Sequence, residues 1–450
     1  MPQVHRFLIG LGFVLSILFV RPSFSADQVL VELESFPAEN VGEWKASGRV
    51  FVASPRTTFS LNVPPQKGGI VAITFIMQGE VAMATGIQTL PVTAKDLDDG
   101  PYVFWKDGNT AVVMSHCNGQ VTRTEHPDIT AAIDVPTGCA GWPMVRLDPR
   151  APKVPDWSWP APSRLLAVSD LEGNMQTLVS FLRNNKVIDE DGHWAWGDGH
   201  LLFNGDIVDR GEQVTEILWL IRRLEREAQA AGGQVHFVLG NHEAMVMAGD
   251  LRYIHPKYVF TSDRLGMSYD ALFAADSELG RWFRTRNSVV KVGNLLFVHA
   301  GYSPELDRLN LEPEEINQSI QEKLGPPAWP SREDLKAQLM WHQQGPLWYR
   351  GYHPRYAEQW GGLPTDAEIK AITSRHAVDY IVVGHTVVDD VSWLDAKKRL
   401  ICIDVSWADA GEGEGLLVED EKLYRLDMNG RRIPMNLQPD APTGETENAK

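Results

Sequence analysis

His200-Leu201-Leu202-Phe203-Asn204-Gly205-Asp206-Ile207-Val208-Asp209-Arg210-Gly211 begins as a short apolar run and turns abruptly polar. The apolar part has the length and composition of a buried β-strand, and the glycine behind it marks a turn. Two carboxylates and a guanidinium then fall on the loop at the carboxyl end of that strand, where open α/β sheets build their sites. The layout recurs along the chain. Residues 164–168 are followed by Asp170 and Glu172, 235–239 by Gly240-Asn241-His242-Glu243, 294–298 by His299-Ala300-Gly301, and 380–383 by Gly384-His385-Thr386. Between these strands, residues 213–229 carry Val214, Ile217, Leu218, Ile221 and Leu224 on one helical face, and 174–184 carry Leu178, Phe181 and Leu182. Strand and helix in alternation predict an α/β layer architecture.

Taken singly, each polar residue has an ordinary explanation. An Asp behind a strand caps a helix or holds a turn, and half-buried histidines are common. Five strand ends in one chain, all bearing hard oxygen or imidazole donors, point instead to a shared metal centre. The blocks resemble the calcineurin-like metallophosphoesterases. Within them, the full Gly-Asp-x-x-Asp-Arg-Gly string at 205–211 and the Gly-Asn-His-Glu string at 240–243 resemble the phosphoprotein-phosphatase branch. Residues 295–304 are similar to that family's fourth block, and Gly345-Pro346-Leu347-Trp348-Tyr349-Arg350-Gly351-Tyr352 resembles the bacterial-type, Shewanella-like group. The resemblance covers about residues 163 to 427. It implies a four-layer αββα sandwich and a phosphatase acting on phosphomonoesters, phosphoproteins among them.

The residue types agree with the roles so implied. Asp206 has two oxygens and can bridge two cations; Asp170 and Glu172 complete one divalent site, and Asn241, His299 and His385 the other. Two such cations about 3.5–4 Å apart share one water, lower its pKa towards roughly 7 and clamp the phosphate for in-line attack by hydroxide. His242 is then the proton donor to the leaving oxygen, oriented by Asp209. Arg210 suits bidentate contact with phosphate, to which Asn241 is also adjacent, and Arg350 is either a second such contact or a structural arginine. The first block departs from the family's Asp-x-His and reads Asp170-Leu171-Glu172. If Glu172 ligates, the first site holds three carboxylates and favours manganese, iron or magnesium, with zinc possible; if not, that site is weak or empty.

Elsewhere the chain reads as follows. Residues 1–25 have a positive start, an apolar core at 7–20 and small residues at 23–25, the pattern of a signal peptide, with an uncleaved anchor as the alternative. The expected location is periplasmic or extracellular, without stable membrane insertion after cleavage. Residues 26–151 read as a small all-β domain, with a hairpin turn at Asp107-Gly108, and could bind sugar or peptide, form a dimer surface or pack on the catalytic part. Residues 152–162 are a Pro/Trp linker, 163–433 the catalytic domain and 434–450 a disordered tail. Residues 250–263 are expected to wall the cleft, and helices at 313–324 and 331–341 to form a lid. Arg281, Arg284 and Arg286 read as helix-surface charges.

The net charge of −17, or −19 without Arg6 and Arg21 of the signal segment, disfavours nucleic acid and anionic membrane as partners. With three cysteines there is no disulfide scaffold, but Cys117 and Cys139 could pair in an oxidising compartment. Cys117 and Arg123 also have the spacing of a cysteine-dependent phosphatase loop, although Pro127 argues against the helix such a loop needs. Beside the metal-dependent phosphatase stand two further readings: a binding protein of the same fold without turnover, and a phosphodiesterase or nucleotidase.

Overall fold

The structure is a computed structural model that describes residues 27–139, 142–325, 335–408 and 412–435. The expected signal segment and all but the start of the expected tail lie outside the described residues. The chain divides into two compact units, Met1–Ala94 and Lys95–Lys450.

The first unit is a closed barrel of strands β1 (Asp27–Ser35), β2 (Gly42–Ala46), β3 (Arg49–Leu61), β4 (Gly69–Gln78) and β5 (Val81–Thr93), in the order β1-β2-β3-β5-β4. β3 and β5 run parallel, and the other pairs antiparallel. This is a five-stranded Greek-key barrel of the OB type. Period-two alternation builds its core: β2 exposes Glu43 and Lys45 and buries Trp44 and Ala46. The Trp44 ring packs between Phe36 and Phe59, with centroids 5.7 and 6.1 Å away.

Residues 95–151, expected to belong to this β domain, group with the second unit. Their three-stranded sheet (Asp99–Trp105, Ala111–Cys117, Gln120–His126) is buried along its whole central strand. Alternate side chains explain why. Val103 and Trp105 face a small core with Val135, Val145 and Leu147, whereas Tyr102, Val112 and Met114 join the main core. Trp105 Nε1 donates to Glu278 at 2.8 Å, and Trp219 Nε1 donates to the Pro101 carbonyl at 2.9 Å. The segment 152–162 docks rather than hangs free, since Ser158–Trp159 adds a parallel strand beside Val289–Val292.

Two mixed six-stranded sheets carry the rest. One has the order Gln234–Phe237, His200–Phe203, Arg164–Val168, Glu414–Glu419, Lys422–Asp427, Arg432–Pro434; the other runs Ser158–Trp159, Val289–Val292, Leu295–Val298, Tyr380–Val383, Leu400–Cys402, Ser392–Trp393. Both contribute to one hydrophobic core. Helix Val214–Ala230 packs on strand Gln234–Phe237 of the first sheet, and helix Pro313–Gln321 on strand Val289–Val292 of the second, as the αββα expectation requires. The strands at the heart of each sheet are buried apart from the half-buried Arg164 and Tyr380 that open two of them, as the apolar runs predict. No helix among the described residues is long and apolar enough to cross a membrane.

Two expectations change, and the disulfide the sequence allowed is present. Residues 331–334 lie outside the described residues, and 335–341 form turns rather than a helix; the Lys323 ammonium takes the Ala337 carbonyl, and Trp348 Nε1 takes that of Met340 at 2.8 Å, which draws both out of a helical ladder. Arg281 and Arg286 are not surface charges: they pair with Glu278 and Glu225 at 2.7 and 2.9 Å, and Arg286 is buried. Cys117 is joined to Cys139 in a disulfide on a strand–turn–strand segment, which leaves neither a thiolate nor a helix N-terminus for the cysteine-phosphatase reading.

The disulfide closes a loop of 22 residues. Paired Cys117→Ser and Cys139→Ser substitutions are expected to lower stability by about 3 kcal/mol. Urea unfolding of the full chain measures this, and an unchanged midpoint would show that the crosslink constrains nothing.

Candidate active site

The strand ends deliver their side chains through strained loops. Asp170, Glu172, Asp206, Asp209, Arg210 and His385 all have positive φ, between 46° and 74°, and make up six of the sixteen such non-glycine residues described. Left-handed backbone costs about 1–3 kcal/mol per residue and persists only where its surroundings over-determine it. Here they do. Asp170 N–H donates to the Gly205 carbonyl, Glu172 N–H to that of Asp206 and Gly173 N–H to that of Ile207, each at 3.0 Å. Gly173 and Gly211 let the two loops touch, since a Cβ on Gly173 would stand 2.7 Å from the Gly211 carbonyl carbon.

Glu243, fully buried, ties the next pair of loops together. Its carboxylate accepts from the backbone N–H groups of Asp206 (3.0 Å), Ile207 (2.8 Å), Val208 (3.2 Å) and Gly240 (2.8 Å). Burial, and then the charge of Asp206, lift this carboxyl to about 7; a cation at Asp206 would remove the second cause. The sequence shows Glu243 inside a motif but gives it no task.

The donors converge on Asp206. Ligand atoms of Asp206, His299 and His385 lie within 4.8 Å of one another, and so do those of Glu172, Asp206 and His242. Asp206 belongs to both groups, the position a bridging carboxylate must have. Asn241 Oδ1 stands 3.0 Å from His299 Nε2. Asp170 lines the same cavity and accepts from His385 N–H at 3.1 and 3.2 Å and from the Ser169 hydroxyl. Burial raises Asp170 to about 6. Burial acts the same way on Asp206, but the imidazoles of His299 and His242 outweigh it and hold that carboxyl well below the usual range.

Divalent cations fit these residues on two observations. His299 Nδ1 meets the Asn204 carbonyl at 2.8 Å, and Nε2 faces both Asn241 Oδ1 and Asp206 Oδ2, the latter at 3.2 Å. Both nitrogens therefore donate, and against burial the Asp206 charge lifts His299 to about 10. A proton on Nε2 occupies the place where a cation would draw the same two oxygens, and metal binding would release it. Second, His385 Nε2 is buried with no hydrogen-bond partner among the described residues, and burial with Arg350 nearby keeps the ring neutral, as a ligand must be.

The remaining candidates surround this centre. His242 N–H donates to Asp206 Oδ1 at 3.0 Å, and His242 Nδ1 bonds Asp209 Oδ2 at 2.6 Å, so Nε2 is the free end. Burial lowers its basicity, but Asp206 and Asp209 together raise it above an ordinary histidine. Arg210 forms an ion pair with Glu172, and its guanidinium lies 5.4 Å from the Tyr253 ring centre. Arg350 donates to Thr386 Oγ1 at 2.9 Å. All face one cavity of about 510 Å³ except the buried Asp209, Asn241 and His299 behind it. The cavity has lining residues the sequence did not offer: Asp404, whose carboxyl burial and Asp170 hold well above the usual range, and the segment His353 to Tyr356. Asp404 does follow a strand, Leu400–Cys402, which was its one available signal.

Glu243→Gln sets an amide N–H₂ against backbone donors. It is expected to weaken metal uptake roughly 10–100-fold, the usual cost of losing a residue that orients ligands. Calorimetric titration of the stripped protein checks this, and unaltered affinity would sink the role given to Glu243.

Residues 163–389, just over half of the chain, match the family model described as Calcineurin-like phosphoesterase. The chain is 26% identical over 228 residues to Shewanella-like protein phosphatase 1 of Plasmodium berghei, spanning 50% of this chain and 61% of that protein. It is 33% identical over 144 residues to a symmetrical bis(5'-nucleosyl)-tetraphosphatase of Methylococcus capsulatus, spanning 31% of this chain and 44% of that one. Among solved structures, the cold-active protein-tyrosine phosphatase of a psychrophilic Shewanella species superposes with a TM-score of 0.68 at 32% identity, covering 75% of this chain and 99% of that one. With its two sheets, its strand-end donors and these matches, the chain belongs to the calcineurin-like phosphoesterase family.

Proposed function

We propose that this protein is an exported phosphatase that hydrolyses phosphomonoesters with two divalent cations. The observation that carries the reading is Asp206, shared by both donor groups and bonded to the backbone of His242. Asp170, Glu172 and Asp206 would hold one cation, and Asp206, Asn241, His299 and His385 the other. Manganese, iron or magnesium suits the carboxylate-rich first set better than zinc. When bound, the pair supplies Lewis acidity toward phosphoryl oxygen and water.

The chain does the rest. Asp209 fixes the His242 ring through Nδ1, leaving Nε2–H to protonate the departing oxygen. Arg210 and Arg350 grip phosphate oxygens from the cavity wall. Were Glu172 to ligate the first cation, it would release Arg210, with which it is paired in the structure. Export is supported by the N-terminal pattern and by the Cys117–Cys139 disulfide, a bond that persists in oxidising compartments. Phosphotyrosyl peptides are the first substrates to try, given what the Shewanella structure is called. The tetraphosphatase relative favours a second reading, cleavage of a dinucleoside polyphosphate.

The test is reconstitution of stripped protein with each metal, assayed on p-nitrophenyl phosphate, phosphotyrosyl and phosphoseryl peptides, bis-p-nitrophenyl phosphate and diadenosine tetraphosphate. Monoester turnover with manganese, iron or magnesium is expected, and inactivity with every metal would remove the enzyme reading. Asp206→Asn is expected to lose metal and activity together, whereas His242→Asn keeps metal and loses about 10²–10⁴ in kcat. Glu172→Ala is expected to carry roughly one cation fewer per chain by elemental analysis; unchanged content would show that Glu172 is no ligand.

A further inference from the structure

Two tyrosine rings at the cleft each carry two guanidinium groups. Arg210 and Arg252 lie 5.4 and 5.5 Å from the Tyr253 centre, and Arg350 and Arg355 lie 5.5 and 5.3 Å from that of Tyr356. Three of the four are engaged. Arg210 is held by Glu172, Arg252 by Asp250 at 2.6 Å and Arg350 by Thr386 at 2.9 Å. Arg355 is exposed, lines the cavity and has no hydrogen-bond or ion-pair partner among the described residues. In a chain of net charge −17, whose arginines are so often paired, a free guanidinium beside the reaction centre calls for an anion from outside.

The segment bearing it is rigid. His353 N–H donates to the Arg350 carbonyl at 3.1 Å, Tyr356 N–H to that of His353 at 2.9 Å and Gln359 N–H to that of Tyr356 at 3.0 Å, so successive turns fix 350–359. Its base is locked by the Tyr352 hydroxyl on the Tyr302 carbonyl at 2.5 Å. Arg350 and Arg355 thus stand on one preformed hook around one ring. Two groups so close to the same ring centre are at most about 11 Å apart, the span of roughly three extended residues.

We propose that Arg355, with Tyr356, forms a second anion subsite that selects phosphoesters carrying a further carboxylate or phosphate within about 10 Å of the scissile group, a reach set by that hook. The assignment rests on the phosphatase reading for its first subsite. Arg210 and Arg350 take the reacting phosphate, and Arg355 reads what lies beside it.

Binding of non-hydrolysable probes to the manganese-loaded full chain separates the two ideas. One pair is a phosphonomethyl-phenylalanine peptide with Glu or with Gln two residues away; the other is propane-1,3-diphosphonate against propylphosphonate. Wild type is expected to prefer the doubly anionic member of at least one pair by roughly fivefold at low salt, a preference that falls as salt is added. Arg355→Gln is expected to bring that ratio close to one. The pair that shows the preference tells whether the second anion is a carboxylate or a phosphate. An equal ratio in wild type and variant, no preference in either pair, or no binding of any probe overturns the subsite. Failure of wild type to turn over any ester would instead overturn the phosphatase reading, while the binding ratio still decides the subsite.

Discussion

One buried carboxylate holds the active face together. Glu243 accepts four backbone N–H groups from two strand-end loops that are 30-odd residues apart in sequence. Those donors would otherwise be unsatisfied in a dry interior, at about 1–3 kcal/mol each. By taking them, Glu243 fixes the turn that presents Asp206 and the helix start that presents Asn241 and His242. Every distance at the centre follows from that turn. His299 and His385, at strand ends of the other sheet, come within 4.8 Å of Asp206 on that pinned loop.

A site built this way has its shape before any cation enters. The strained φ angles at Asp170 and Asp206 are held by loop-to-loop backbone bonds, and that at His385 by its N–H on the Asp170 carboxylate. A proton on His299 gathers Asn241 and Asp206 as a metal would. Little reorganisation is therefore needed on loading, and the exchange is proton for cation. The neutral, unpartnered His385 Nε2 adds a donor that costs nothing to deprotonate.

Much of this was legible because strands and ligands alternate in register: each apolar run ends where a donor begins, and the structure brings Asp170, Glu172, Asp206, Asn241, His242, His299 and His385 to one place. What was not legible depends on partners distant in sequence. The β-rich stretch after Ala94 looks like a continuation of the barrel, and only the burial of both its faces, one on Thr215 and Trp219, assigns it to the second unit. Arg286 reads as a surface charge until Glu225, far back along the chain, is seen at 2.9 Å. Glu243 and Asp404 carry no local signal for what they touch. The hook at 353–356 has a single histidine, His353, and no carboxylate or cysteine beside it, so a search for clustered ligands passes over it.

Glu172 shows how one change of residue type can couple two functions. A histidine there could ligate a cation but could not pair with Arg210. A glutamate can do either, and in the structure it holds Arg210 while remaining within reach of Asp206. On the proposed reading, the first cation and the phosphate grip compete for a single carboxylate. An empty first site then leaves Arg210 neutralised and phosphate poorly held; a filled one takes Glu172 away and restores the guanidinium's charge. Metal occupancy and substrate affinity would rise together by linkage, since each favours the same position of Glu172. Such coupling suits an acidic chain, in which a permanently free Arg210 would be drawn to the nearest carboxylate and the anionic substrate would find no partner at all.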